Sequence, residues 1–291
     1  MTRATTAITQ FRTYLQRRHY SVHTLDSYRF DLQLFFAQCQ QPVETVTYRD
    51  VEQFLTQQHA QGMAPTTINR RLYAVKHLFD YLLEHRLVVG NPVKPSHFAR
   101  LGRPLPKALA HAHLQALFAQ IQHPMDKALF LLMLRAGLRV SEVVQLKLSQ
   151  IEWDEQALWI EQGKGRKDRR VYLSADAMAS LQACVAIRPP GVPNEWVFWN
   201  QKRLLARLSI KAIQKKIERY AQAAGIKASC HSLRHTFASN LLEHGAEIVS
   251  IKDLLGHATA ASSERYARAS NHKVKQEYLR TMKKVMKQSP V

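Results

Sequence analysis

The sequence predicts a mainly α protein with a small β-hairpin or sheet, built as an N-terminal helical module followed by a larger α+β part. Apolar residues recur every three or four positions through the first ninety residues, the period shortens between Ile151 and Leu173, and helical spacing then returns. With 291 residues, 46% of them apolar, the chain can bury a substantial core, and two domains are expected rather than one. The division predicted is 1–93, a basic linker over 94–107, and 108–291.

In the first module, Ile8, Phe11 and Leu15 mark a helix face from Thr5 to about Arg18. Ser21 is placed to cap a second helix through Cys39, with Leu25, Tyr28, Leu32, Phe35 and Phe36 as its apolar stripe. Thr47, with Asp50 three residues on, opens a third helix. Pro65 opens a fourth, with Ile68, Leu72, Val75, Phe79 and Leu82 on one face, and its close is expected at Gly90, Asn91 and Pro92. Three prolines and several cations with little periodicity make the next stretch read as an extended linker.

The second part restarts with helices over His111 to Ile121 and Pro124 to Ala136, the latter stopped by Gly137. Ser141 is a candidate cap for a short helix ending at Leu146. Leu158 to Ile160 and Arg169 to Leu173 read as two strands of a hairpin whose tip is Gly163 to Asp168. Helices follow over Ala175 to Ala186, Ser209 to Ala224 and Asn271 to Lys287. The last carries Tyr278, Leu279, Met282, Val285 and Met286 as a stripe that fits either its own domain or a neighbouring protomer.

Charge points to the partner. Lys plus Arg number 42 against 22 Asp plus Glu, a net +20 with pI near 10.1, so a polyanion is expected and nucleic acid comes first. The longest apolar run, Ala128 to Leu134, is too short to span a bilayer, and no basic amphipathic segment stands apart for a membrane surface. Cys39, Cys184 and Cys230 are widely spaced and fit reduced thiols in a cytoplasmic protein rather than a zinc site. Arg70, Arg71 and Lys76 on the fourth helix, Arg166 and Lys167 on the hairpin tip, and Lys211 and Lys215 further on are candidates for contacting phosphates. A solvated charged face is the alternative for each.

Six residues have the chemistry to attack a phosphodiester: Arg139, Lys164, His231, Arg234, His257 and Tyr266. A phenol with pKa ≈ 10 is phenolate only about once in a thousand at pH 7, so a tyrosine nucleophile needs help. Histidines at His231 and His257 suit proton transfer, and forked guanidinium donors at Arg139 and Arg234 suit charge building on non-bridging oxygens. Other readings stand beside these. Arg139, between two apolar helices, is open to a structural ion pair with Glu142, and most tyrosines are structural. His231 and His235 share a helix face, but Ser232 stands where the zinc-protease pattern needs Glu, and no third ligand is placed nearby.

In order along the chain, AGLRVSE around Arg139, GKGRKDR around Lys164, HSLRH for His231 and Arg234, LGH for His257, and Tyr266 nine residues later resemble the catalytic signature of the tyrosine recombinases, the phage integrase family. The resemblance covers nearly the whole chain and suits the short, Xer-like type, which lacks the arm-binding domain of larger phage integrases. It implies a helical core-binding (SAM-like) domain over 1–93 and a catalytic domain over 108–291. It implies site-specific strand exchange between two duplex DNA sites through a 3′-phosphotyrosyl intermediate, with no metal or other cofactor. A homo-tetramer on synapsed DNA, or a hetero-tetramer with a paralogue, is implied too, as is a cytoplasmic, nucleoid-associated location. The flanks of Tyr266 depart from the family's usual threonine-rich approach, with Ser262, Ser263, Glu264 and Arg265 before it and Ala267 and Arg268 after. A type IB topoisomerase and a non-catalytic DNA-binding architectural protein are the competing readings.

Overall fold

The structure, a computed structural model, describes residues 3–102, 108–161, 168–192, 195–256 and 267–288. It divides into two units, Met1–Pro104 and Leu105–Val291.

The first unit holds α1 (Arg3–Arg17), α2 (Val22–Cys39), α3 (Tyr48–Ala60) and α4 (Pro65–Glu84). The caps are local chemistry. Ser21 Oγ accepts the Thr24 N–H at 3.1 Å, and the Asp50 carboxylate accepts the Thr47 N–H at 2.7 Å, so each helix start has one orphan donor satisfied. Phe11, Phe35, Phe54, Leu72 and Phe79 meet in the core.

α4 ends at Glu84, six residues before the expected Gly90 stop. Arg86 takes a left-handed φ of 57°, and Asn91 instead folds back, its amide donating to the Lys76 carbonyl at 3.0 Å and to Asp80 at 2.7 Å. The start of the expected linker is not extended either. Pro95–His97 form a short 3-10 turn, and the Asn69 side chain both donates to the Ala99 carbonyl (2.9 Å) and accepts its N–H (3.0 Å).

The second unit is organised around α6 (Pro124–Arg135), which follows α5 (His111–Ala119). Every α6 residue from Ala128 to Arg135 is buried, as befits a helix that is apolar nearly all round. Gly137 then turns the chain with φ +65°, and a β-carbon there would overlap the Phe237 ring, so glycine is required twice over. α7 (Val140–Gln145) follows. Its cap is not Ser141: the Glu142 carboxylate reaches back to the Arg139 N–H at 2.8 Å.

The expected hairpin is present as β2 (Ala157–Ile160) and β3 (Arg169–Tyr172), paired antiparallel with Leu158 opposite Val171. A short β1 (Ile151–Glu152) on the other edge of β2 makes it a three-stranded sheet. After α8 (Ala175–Ala186), β4 (Trp199–Asn200) and β5 (Arg203–Arg207) form a separate ribbon that periodicity did not predict. The remaining elements are α9 (Ile210–Ala223), α10 (Cys230–Glu243), α11 (Ile248–Leu255) and α12 (Ala267–Gln288).

α12 begins four residues earlier than expected and buries Tyr278, Met282 and Val285 among Phe237, Leu241, Leu254 and Leu255 of its own domain. The Tyr278 hydroxyl donates to the Arg135 carbonyl at 2.9 Å. Glu277 accepts the Glu247 N–H at 2.7 Å, tying α12 to the start of α11. Among the described residues no helix is long and apolar enough to cross a membrane.

Candidate active site

Gly137 delivers Arg139 to the N-terminal end of α7, where Glu142 lies one turn on. Arg139 donates to Glu142 at 2.7 Å through Nη1 and to the Gly256 carbonyl at 3.1 Å through Nη2. Arg234 enters from the first turns of α10, its side chain 9% exposed. It donates to the Gly137 carbonyl and to the Leu255 carbonyl, the latter at 2.6 Å, and passes 3.8 Å from Glu142. A third guanidinium closes the cluster. Arg169, at the start of β3, binds both Glu142 oxygens at 2.9 Å and donates from Nε to the Leu254 carbonyl at 2.8 Å.

Three cations thus surround one carboxylate. Burial alone would raise the Glu142 pKa, but the bonds and charge of Arg169, followed by those of Arg139, bring it below the usual carboxylate value. Arg234 moves the other way: burial first, then the neighbouring Arg139, push its pKa down to about 9, so it is still charged at pH 7. Three guanidinium groups around one carboxylate leave a net positive charge, which suits an anionic group such as a phosphoryl.

The ion-pair alternative for Arg139 is realised. With the side chain 20% exposed, the pair with Glu142 spends only part of a guanidinium that has five donors. Arg169 was read from sequence only as a strand residue. Its one signal is position, an arginine where the strand resumes after a cationic tip; nothing local specifies a partner 27 residues away.

His231 stands in the first turn of α10, which Ser229 caps by accepting the Ser232 N–H at 3.1 Å. Its Nε2 lies 2.7 Å from Nε2 of His235, a hydrogen bond that requires one ring to be neutral. Burial, then His231 and Arg234, lower the His235 pKa. The two ring nitrogens face each other rather than a shared third point. Among the described residues no group of three His, Cys, Asp or Glu is placed to hold a metal ion.

Lys164, His257 and Tyr266, and the tip cations Arg166 and Lys167, lie outside the described residues. The other candidate DNA contacts differ in kind. Lys211 and Lys215 are exposed on α9, opposite buried Ile213 and Ile217. Their neighbour Lys216 is committed to buried Asp126 at 2.9 Å. Arg70 pairs with fully buried Asp31 while its side chain remains 48% exposed; Arg71 is 12% exposed and bound to Gln58 and Asp31. Lys76 pairs with Asp80 at 2.7 Å. Arg71 is thus chiefly a strut inside the first unit, because an otherwise uncompensated Asp31 needs cations.

An arginine cluster with net positive charge, on a mainly helical domain with two small sheets, fits the class of phosphoryl-handling proteins. The comparisons with known proteins say which: residues 107–273 match the phage integrase family and residues 8–86 match the phage integrase N-terminal SAM-like domain, so the chain belongs to the phage integrase family. It is 31% identical to tyrosine recombinase XerA of Pyrococcus furiosus, over 92% of this chain and 91% of that one. It is 29% identical to tyrosine recombinase XerC of Oceanobacillus iheyensis, over 94% and 95% respectively. The fold is shared with the Tn1549 transposon integrase in complex with circular intermediate DNA (TM-score 0.73, 15% identity, 87% of this chain and 92% of that one). It is shared also with a lambda integrase tetramer bound to a Holliday junction (TM-score 0.71, 20% identity, 88% and 74%). Like its tyrosine recombinase relatives, the chain is an enzyme.

Proposed function

We propose that this enzyme exchanges strands between two duplex DNA sites through a covalent link to Tyr266. The observation that carries the reading is the cationic cluster of Arg139, Arg169 and Arg234 around Glu142, in a chain whose family match spans the whole signature. The Tyr266 oxygen attacks the scissile phosphorus, its proton passing to a histidine, His231 or His257. The bond to the 5′-oxygen breaks, and that oxygen takes a proton from Lys164. The product is a 3′-phosphotyrosine that keeps the energy of the broken phosphodiester, so reversal with a new 5′-hydroxyl completes the exchange. Arg139 and Arg234 hold the non-bridging oxygens as charge grows in the pentavalent transition state.

The working form is a tetramer on synapsed DNA, of four copies or with a paralogue, as in the lambda integrase tetramer on a Holliday junction. Residues 1–93 serve as the core-binding domain, 94–107 as linker and 108–291 as the catalytic domain. Arg70, Lys76, Arg166, Lys167, Lys211 and Lys215 contact DNA phosphates, with Arg71 supporting Arg70. The DNA substrate places the enzyme in the cytoplasm, at the nucleoid.

The test is selection of a covalently trapped suicide substrate from a duplex library, in the presence of EDTA. The expected result is an adduct that survives denaturation with the unsubstituted protein and is absent with Tyr266→Phe, which still binds the selected duplex. An adduct in the Phe variant moves the nucleophile elsewhere, and cleavage that depends on a divalent metal means a different chemistry. Recombination between two copies of the selected site separates strand exchange from topoisomerase-like relaxation of one duplex.

A further inference from the structure

We infer that Arg169 is a positioning residue for the cleavage step, acting through Glu142 on Arg139; this rests on the recombinase reading above. Its guanidinium spans the cluster. Both Glu142 oxygens accept from it at 2.9 Å, its Nε holds the Leu254 carbonyl at 2.8 Å, and its Nη1 lies 3.0 Å from where a β-carbon on Gly256 would sit. A side chain at Gly256 would therefore crowd Arg169, and the Gly256 carbonyl accepts from Arg139 at 3.1 Å. One side chain thus sets the carboxylate that orients Arg139 and the end of the helix whose C-terminal cap, Gly256, gives Arg139 its second bond. Arg169 also begins β3, five residues beyond Lys164 in the chain.

The electrostatic consequence is specific. Glu142 is buried and ionised, and its two oxygens are already neutralised by the parallel bonds from Arg169. Arg139 then meets a compensated carboxylate and keeps charge to offer to a phosphate. Without Arg169, the full charge of Glu142 falls on Arg139, which is drawn onto the carboxylate and away from the reacting oxygens. The defect is one of charge delivered to a non-bridging oxygen, so it must depend on that oxygen being charged.

The experiment uses the full chain with Arg169→Met, which keeps apolar bulk, and Arg169→Lys, which keeps charge but not the two-bond fork. Single-turnover adduct formation is measured on the selected nicked duplex, with the scissile phosphate or with a methylphosphonate that replaces one charged oxygen by methyl. On phosphate, Arg169→Met is expected to slow cleavage on the order of 10²-fold, as for loss of one oxyanion donor, with Kd for the duplex little changed. On methylphosphonate the deficit relative to the unsubstituted protein should shrink at least about tenfold, since the charge to be neutralised is gone. Arg169→Lys should show the same contrast at smaller size, and it carries the test if the Met variant fails to fold. Equal deficits on the two substrates, or normal cleavage of phosphate by both variants, overturn the proposal. Absence of an adduct with the unsubstituted protein overturns the recombinase reading instead.

Discussion

The guanidinium of Arg234 donates to the carbonyl of Leu255 at 2.6 Å, so an arginine of the proposed phosphate clamp also caps the end of α11. It binds the Gly137 carbonyl as well, and the two acceptors lie 97 and 21 residues away in sequence. Arg234→Ala leaves two buried carbonyls with a lost partner, at about 1–3 kcal/mol each, against which the relieved burial of a cation counts in part. A net loss of roughly 2 kcal/mol in urea denaturation is expected on that basis. Arg234→Lys should recover less than half of it, because one ammonium cannot reach both carbonyls. Full recovery in the Lys variant would show that the paired carbonyls are not what holds Arg234.

Glu142 predicts an acid limb. Its folded pKa lies below the ordinary 4.5, so the stabilisation it brings is fully present above that value and lost as pH falls through the lower folded one. Glu142→Gln removes this contribution and leaves three guanidinium groups without their counter-charge. At pH 7 the variant should be less stable by about 3–5 kcal/mol, the cost of breaking a buried pair. Between pH 5 and the acid transition its stability should fall less steeply than that of the unsubstituted protein. Parallel acid limbs in urea titrations would count against a paired, ionised Glu142.

The cations of α4 and α9 should separate into two classes. Lys215 is exposed, so Lys215→Ala should leave Tm nearly unchanged and lower the log–log salt slope of duplex binding by roughly 0.9. Arg71 faces buried Asp31 and Gln58, so Arg71→Ala should chiefly lower Tm. The opposite assignment in paired melting and salt titrations would place Arg71 on the DNA.

Tyr278 places α12 on its own domain, with the ring buried and the hydroxyl on the Arg135 carbonyl. Tyr278→Phe should cost about 1–2 kcal/mol through the buried carbonyl, and Tyr278→Ala about 3–5 kcal/mol through the added cavity. In DNA-free protein, Tm should not change over a hundredfold range of concentration. A rising Tm would mean that the helix is exchanged between copies in that state.

The elements that sequence determined are those whose causes are local. Helices α1 to α4 follow from apolar spacing and the Ser21 and Thr47–Asp50 caps, Gly137 marks a turn whose backbone is left-handed, and the hairpin follows from the change of period around Leu158. Ordered motifs likewise identified the family, which the match over 107–273 shows. The end of α4 at Glu84, the β4–β5 ribbon and the Glu142 cap of α7 depend on partners that no single window contains. The same is true of the site. Sequence named Arg139 and Arg234 as anion binders, but only packing brought Arg169, 30 residues after Arg139 and 65 before Arg234, onto the carboxylate they share. Periodicity reports which face of an element is apolar; which charges meet is decided by how those faces close on one another, since a buried carboxylate must be compensated by whatever cations the fold carries to it.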